Sequence, residues 1–469
     1  MKGKKQKAKS KGEQLKSATV FFFFACVCLC GGLSSGVLAQ QDSSQRGPAF
    51  LSGTPGTFVI RNARIVTVSG VDIENGSVVI KDGRIEQVGA RVKTPGGARE
   101  INARGLSVYP GMIDLSTAMG LVEIPQGANA TVDTSEVGEM NPNARAFYGI
   151  NPHSAHIAVT RVNGVTNVLS LPQGGLISGQ AAFINLLGAT PAEMAVTPAA
   201  ALVVNFPRVV AAGGGGGFLA FLLQQQAPNI TEAITQRDRQ VEGLRKMLRD
   251  AEAYGRSIDA AARDTSVPRP DQDIVLAALV PYVRGEQPVV FRADRDADIR
   301  AAVRFAEEMK LRAIILGGTD AWKAAQLLKE KNVPVVLNNT LDLPPNEDAP
   351  YDVLYENAAK LSQAGIRFAI ATNDDPAHVR DLPYHAGMSA AFGLPRAEAL
   401  KAVTLYPAQI MNAADKLGSI EVGKLANLVV TDGDLLDART NIRHLFINGR
   451  QVPLVSRHTE LYEQFKSRK

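Results

Sequence analysis

The chain has 469 residues, 45% of them hydrophobic, with 51 Lys and Arg against 46 Asp and Glu. Its formal net charge of +5 comes from the first 39 residues, where seven lysines and one glutamate leave +6, so the remainder stands at −1 and a nucleic-acid partner is not indicated. All three cysteines, at 26, 28 and 30, also fall there, which rules out a disulfide or a thiol nucleophile in the rest of the chain.

Residues 1–39 have the order of a secretory signal peptide. A lysine-rich start is followed by an apolar run over 18–33 and by Val37-Leu38-Ala39, with the cut expected after Ala39. The apolar run is at or below the length of a spanning helix, so no stable membrane insertion is expected after cleavage. The expected location is periplasmic or extracellular, and lipidation at Cys26 has the weaker signal. Residues 40–56, rich in Ser, Gln, Gly and Pro, predict a disordered tether. The remaining chain, about 430 residues from residue 40 on, suffices for a large barrel and a smaller domain.

Residues 57–110 predict short strands. Asn75-Gly76 and Asp82-Gly83 stand beside β-rich runs, and such pairs mark hairpins because both turn residues must take positive φ. Residues 417–456 repeat the style, with Asp432-Gly433 and Asn448-Gly449. Neither end has enough strands for its own core, which predicts one composite β-sandwich domain built from both.

Residues 111–416 behave differently. Val289-Val290-Phe291, Ala313-Ile314-Ile315-Leu316, Val335-Val336-Leu337 and Phe368-Ala369-Ile370-Ala371 alternate with helical stretches. Apolar strands alternating with helices predict parallel units, and a run this long predicts a (β/α)8 TIM-type barrel. An insertion at about 213–265 opens on five glycines, Gly213 to Gly217. A helix follows with Ile234, Val241, Leu244, Leu248, Ala251 and Ile258 on the face expected to pack against the barrel.

Several segments resemble the amidohydrolase superfamily, in particular its imidazolonepropionase-like branch. They are Gly105-Leu106-Ser107-Val108-Tyr109-Pro110-Gly111-Met112-Ile113-Asp114, Leu400-Lys401-Ala402-Val403-Thr404, Pro407-Ala408-Gln409-Ile410 and Leu417-Gly418-Ser419-Ile420-Glu421-Val422-Gly423-Lys424, in that order. The resemblance spans roughly residues 57–452. It implies a hydrolase of carbon–nitrogen (non-peptide) bonds that uses zinc or another divalent metal at the C-terminal mouth of the barrel to activate water.

The ligand positions that the resemblance implies depart from the family pattern. The family's first-strand His-x-His falls on Ser116 and Ala118, its strand-five histidine on Arg292 with Asp294 two residues on, and its strand-six histidine near Gly317. No lysine occurs between Lys93 and Lys246, so the bridging lysine is missing too. Asp374, with Asp375 as the alternative, stands where the strand-eight aspartate belongs and is the one catalytic candidate. Near the exit the family has Gly-Lys-x-Ala-Asp-Leu-Val. Asn427 takes the place of that aspartate here, a change expected to affect packing.

No cofactor is therefore expected. Ser116, Arg292, Asp294 and His378 are the candidates for the barrel mouth, and an ion pair or water-bridged contact among Arg292, Asp294 and Asp374 is expected to stand in for the metal. His153 and His156 are spaced to share a helix face but lack other ligands nearby. The favoured reading is a non-catalytic relative that binds a small molecule at the mouth or partners another copy or an active paralogue. The alternatives are an active hydrolase with a remodelled or single-metal site near Asp374, His378 and His385, and a metal-free enzyme of another type.

Overall fold

The computed structural model describes residues 52–124, 129–209 and 230–468. The leader over 1–39, the tether up to residue 51 and the glycine run at 213–217 lie outside the described residues. The last residues of the expected tether are ordered. Thr54 and Gln451 exchange backbone hydrogen bonds of 2.8 and 3.0 Å, and Arg450 Nη1 donates to Ser52 O at 3.0 Å. Extended backbone beside an open strand edge completes a ladder there.

The first sheet draws on both ends of the chain. β1 (Phe58–Ile65), β2 (Ile73–Lys81), β3 (Arg84–Gly89), β4 (Arg99–Asn102) and β5 (Ser107–Pro110) precede the barrel; β14 (Leu428–Thr431), β15 (Ile442–Ile447) and β16 (Arg450–Val452) follow it. The order is β16-β15-β14-β5-β1-β2-β3, with β4 also on β1. The seam between the two ends is antiparallel, Val429 opposite Tyr109. β1 and β15 are three ladder spacings apart, about 14 Å in a flat sheet. Yet the Phe58 and Phe446 rings meet edge-on at 5.2 Å, so the sheet folds over on itself around Ile60, Val78, Leu428 and Val430.

Two of the expected turns are hairpins: Asp82-Gly83 (φ 50° and 81°) joins β2 to β3, and Asn448-Gly449 (φ 50° and 70°) joins β15 to β16. The other two are not. Asn75-Gly76 lies inside β2, where it shifts the register against Ala63 and Ile65, and a side chain at Gly76 would come within 2.6 Å of Ile65 Cδ1. Asp432-Gly433 opens a longer loop before β15. An Asn-Gly pair makes a hairpin only where the strands beside it pair with each other.

The second sheet is the barrel: β6 (Met112–Thr117), β7 (Val165–Ser170), β8 (Ile177–Asn185), β9 (Ala195–Asn205), β10 (Val289–Ala293), β11 (Ala313–Gly317), β12 (Val335–Leu337) and β13 (Phe368–Ile370), neighbours in that order. Its apolar residues split by parity. Ile113, Val290, Ile314, Val336 and Ala369 fill one cluster, while Met112, Val289, Ile315, Val335 and Phe368 join the other with the helices. That is the inside and outside of a barrel read along period-two strands. One strand departs from a strict (β/α)8: β8 runs antiparallel to both neighbours. The connection over 171–176 is too short for a parallel crossover, which takes about a dozen residues.

The barrel closes where β13 meets β6, chiefly through side chains. Asp114 Oδ2 accepts from Thr372 N at 3.0 Å and from Thr372 Oγ1 at 2.7 Å, and Ala118 N donates to Asp374 O at 3.0 Å. The helix Ile230–Arg263 packs on the outside, with Leu244, Leu248 and Ala251 buried and Val241 against them. Ile234 is exposed and Ile258 half-buried, so the stripe expected from the sequence is buried only at its centre. Among the described residues no helix is long and apolar enough to cross a membrane.

Asn427 ties the two sheets together. Its amide donates to Asn167 Oδ1 at 2.8 Å and to Asn185 Oδ1 at 2.9 Å, and its oxygen accepts from Asn448 N at 2.7 Å. An ionised carboxylate could not donate to two carbonyl oxygens. Asn427→Asp should take up a proton, recover one of the two donations and cost about 2 kcal/mol. Urea unfolding at pH 7 measures this, and a loss within the scatter of surface variants would contradict it.

Candidate functional site

The barrel strands aim a small polar group at the C-terminal mouth. Arg292 follows the inward Val290 by two residues, and Asn338 follows the inward Val336 by two, so both continue the inner face just past the apolar core. Arg292 Nη1 donates to Asp374 Oδ2 at 2.7 Å, with the two side chains 20% and 33% exposed. Ser116 Oγ donates to Asp374 Oδ1 at 3.1 Å and accepts from Asn338 Nδ2 at 3.2 Å. Both carboxylate oxygens of Asp374 are thus engaged by this chain's own groups.

Asp294 stays out of the pair. Its Oδ1 accepts from Thr319 Oγ1 at 3.0 Å, and Thr319 in turn accepts from Asn339 Nδ2. The carboxylate instead fills the space beside β11. Gly317 has φ 106°, and a Cβ on it would run into Asp294 Oδ1. No side chain fits there while Asp294 keeps its position.

The histidines are elsewhere. His378 Nδ1 faces Asp381 Oδ2 at 3.3 Å and is about half exposed. His385 is buried in the helix Leu382–Ala391, and its Nδ1 has no hydrogen-bond partner among the described residues. Burial lowers its pKa to about 4. His156 sits in the first turn of the helix Ala155–Arg161 and contacts Glu123 O at 3.0 Å, while His153 lies before that helix, so the two do not share a face. Among the described residues no group of three His, Cys, Asp or Glu side chains could hold a metal ion.

Asp114, quoted in the sequence only as part of a motif, lies next to this group. It is fully buried and accepts from Ser116 N at 2.8 Å in addition to its two bonds from Thr372. Burial pushes its carboxyl up to about 7; the donors from Thr372 and Ser116 oppose the shift, and the nearby charge of Asp374 adds to it. Asp114 thereby fixes the backbone under Ser116. Asn338 also goes unmarked in the sequence reading, although its period-two spacing from Val336 is a signal that points to it.

The profile described as Amidohydrolase family matches residues 238–452. Amidohydrolase tasK of Hapsidospora irregularis is 25% identical over 441 residues, which is 85% of this chain but 43% of that protein, so the chain spans less than half its length. The Imidazolonepropionase of Syntrophobacter fumaroxidans is 34% identical over 82 residues, 17% of this chain and 19% of that one. Among solved structures, an amidohydrolase from Thermotoga maritima MSB8 superposes with a TM-score of 0.74 at 25% identity, covering 84% of this chain and 99% of that one.

Proposed function

The chain belongs to the amidohydrolase superfamily, and we propose that it is a ligand-binding member without metal-dependent catalysis, in which a guanidinium replaces the metal. The observation that carries this reading is the 2.7 Å contact between Arg292 and Asp374. A divalent metal in this superfamily would activate water for attack on a carbon–nitrogen bond. The residues present do not fit one. Ser116 is a poor ligand and Ala118 offers none. Arg292 stays protonated and has no lone pair to give. Gly317 has no side chain, and Asp294 fills the space of one. Asp374 spends both oxygens on Arg292 and Ser116.

The guanidinium does the electrostatic half of a metal's work, neutralising Asp374 at the mouth, but it cannot act as a Lewis acid on water. The alternative, an active hydrolase with a remodelled site around Asp374, His378 and His385, needs histidines close to Asp374. His378 is instead paired with Asp381, and His385 is buried.

The test is metal content together with activity. Purified protein dialysed against zinc or manganese and then against buffer should retain far less than one equivalent, with no change in melting temperature. One tightly held equivalent that also supports amide hydrolysis and is lost to a chelator would overturn the reading.

A further inference from the structure

We infer that a cavity at the N-terminal end of the barrel, opposite the mouth, binds a small-molecule oxyanion between Arg312 and Arg367. The inference goes beyond the reading of the mouth and does not rest on it. The cavity holds about 360 Å³ and lies where the loops before β11, β12 and β13 meet the end of the helix Leu405–Ile410.

The strands place the two arginines. Arg312 precedes the inward Ile314 by two residues, and Arg367 precedes the inward Ala369 by two, so both continue the inner face just below the apolar core. Pro334 does the same on β12, which lies between them. The two backbones are thus two ladder spacings apart, about 10 Å, and both side chains line the one cavity. From there they can grip a small anion from two sides.

Their charge has no counterpart. The described lining carries Arg312, Lys331 and Arg367 against one carboxylate, Glu307, which is paired with Lys331. Neither arginine has an ion pair among the described residues. Arg312 is half-buried; burial lowers its pKa, and no carboxylate offsets that effect. Its Nη2 donates to Ile410 O at 3.3 Å, while its Nε and Nη1 make no hydrogen bond among the described residues and remain accessible. A partly desolvated guanidinium without an acceptor is costly, and an oxyanion supplies one to its planar fork.

The helix ends around the cavity do not use up these donors. Lys310, Asn332 and Asn412 take left-handed φ values of 55°, 49° and 53°. The chain turns back at each, so that Leu311 N, Val333 N and Ala413 N donate to Ala306 O, Leu328 O and Ala408 O at 2.8, 2.9 and 2.8 Å. Carbonyls that would otherwise draw a cation are satisfied by backbone there, which leaves the arginines facing the cavity. Gln409 and Asn412 add amide donors to the same wall.

Calorimetric titration of the purified protein with inorganic phosphate, glutarate and the neutral glutaramide tests this. At least one of the two anions should bind at least about 10-fold more tightly than glutaramide and weaken as salt is raised. Binding by phosphate alone, or by glutarate alone, identifies the source of the oxyanion. Arg312→Gln and Arg367→Gln should each weaken it about 10-fold or more, whereas Arg104→Gln, exposed in the loop before β5, should leave it unchanged. Should Arg312→Gln fail to fold for want of its bond to Ile410, Arg367→Gln decides alone, since Arg367 is exposed and makes no hydrogen bond among the described residues. Anions that bind no better than glutaramide, or binding that Arg367→Gln leaves undiminished, would overturn the inference.

Discussion

Arg292→Ala should lower the free energy of unfolding by about 3 kcal/mol in urea titration at pH 7. Breaking a buried pair by removing one partner costs about 3–5 kcal/mol, because the survivor is left charged and unpaired. Here the low end applies, since the Asp374 side chain is a third exposed and water can solvate part of it. Ser116 would remain as a donor to Asp374, but a hydroxyl does not replace a full positive charge. The double variant Arg292→Met with Asp374→Leu removes both charges and keeps much of the volume. It should return to within about 1 kcal/mol of the parent, as apolar replacements of buried pairs often do. An Arg292→Ala cost under about 0.5 kcal/mol, the range of surface changes, would mean the pair has no structural role.

The pH dependence of stability should contain two opposing slopes. Asp114 has a folded pKa of about 7, above its ordinary 3.8, because burial disfavours the anion. Its contribution is therefore full below pH 3.8 and is lost as pH rises through about 7. His385 has a folded pKa of about 4, below its ordinary 6.5, because burial disfavours the cation. Its contribution is full above pH 6.5 and is lost as pH falls through about 4. At roughly 1.4 kcal/mol per pKa unit, the two amount to about 4 and about 3 kcal/mol across nearly the same window.

In the parent protein these contributions largely cancel. His385→Leu removes one of them and replaces an unpartnered ring nitrogen with carbon. Relative to the parent, the variant should gain about 3 kcal/mol at pH 4, with the gain fading by pH 7. A stability difference between parent and variant that stays flat from pH 4 to 7 would show that His385 does not titrate as its burial implies.

Much of this was legible along the chain. The apolar runs at 289–291, 313–316, 335–337 and 368–371 became neighbouring barrel strands, because period-two burial with intervening helices is a local pattern. Asp82-Gly83 and Asn448-Gly449 became turns because their flanks pair directly. The position of Arg292 at a strand end was readable from its spacing to Val290. What tertiary structure decided is what depends on distant partners. Asp114 meets Thr372 across 258 positions, and Asn427 meets Asn167 across 260. Asp294, two residues from Arg292, turned to Thr319 and the bare backbone of Gly317 instead of joining the ion pair. The inversion of β8 followed from a short loop and the room between β7 and β9. A hydrogen bond between residues so far apart leaves no periodicity in either segment. Its energy depends on burial and geometry that exist only once the barrel has closed.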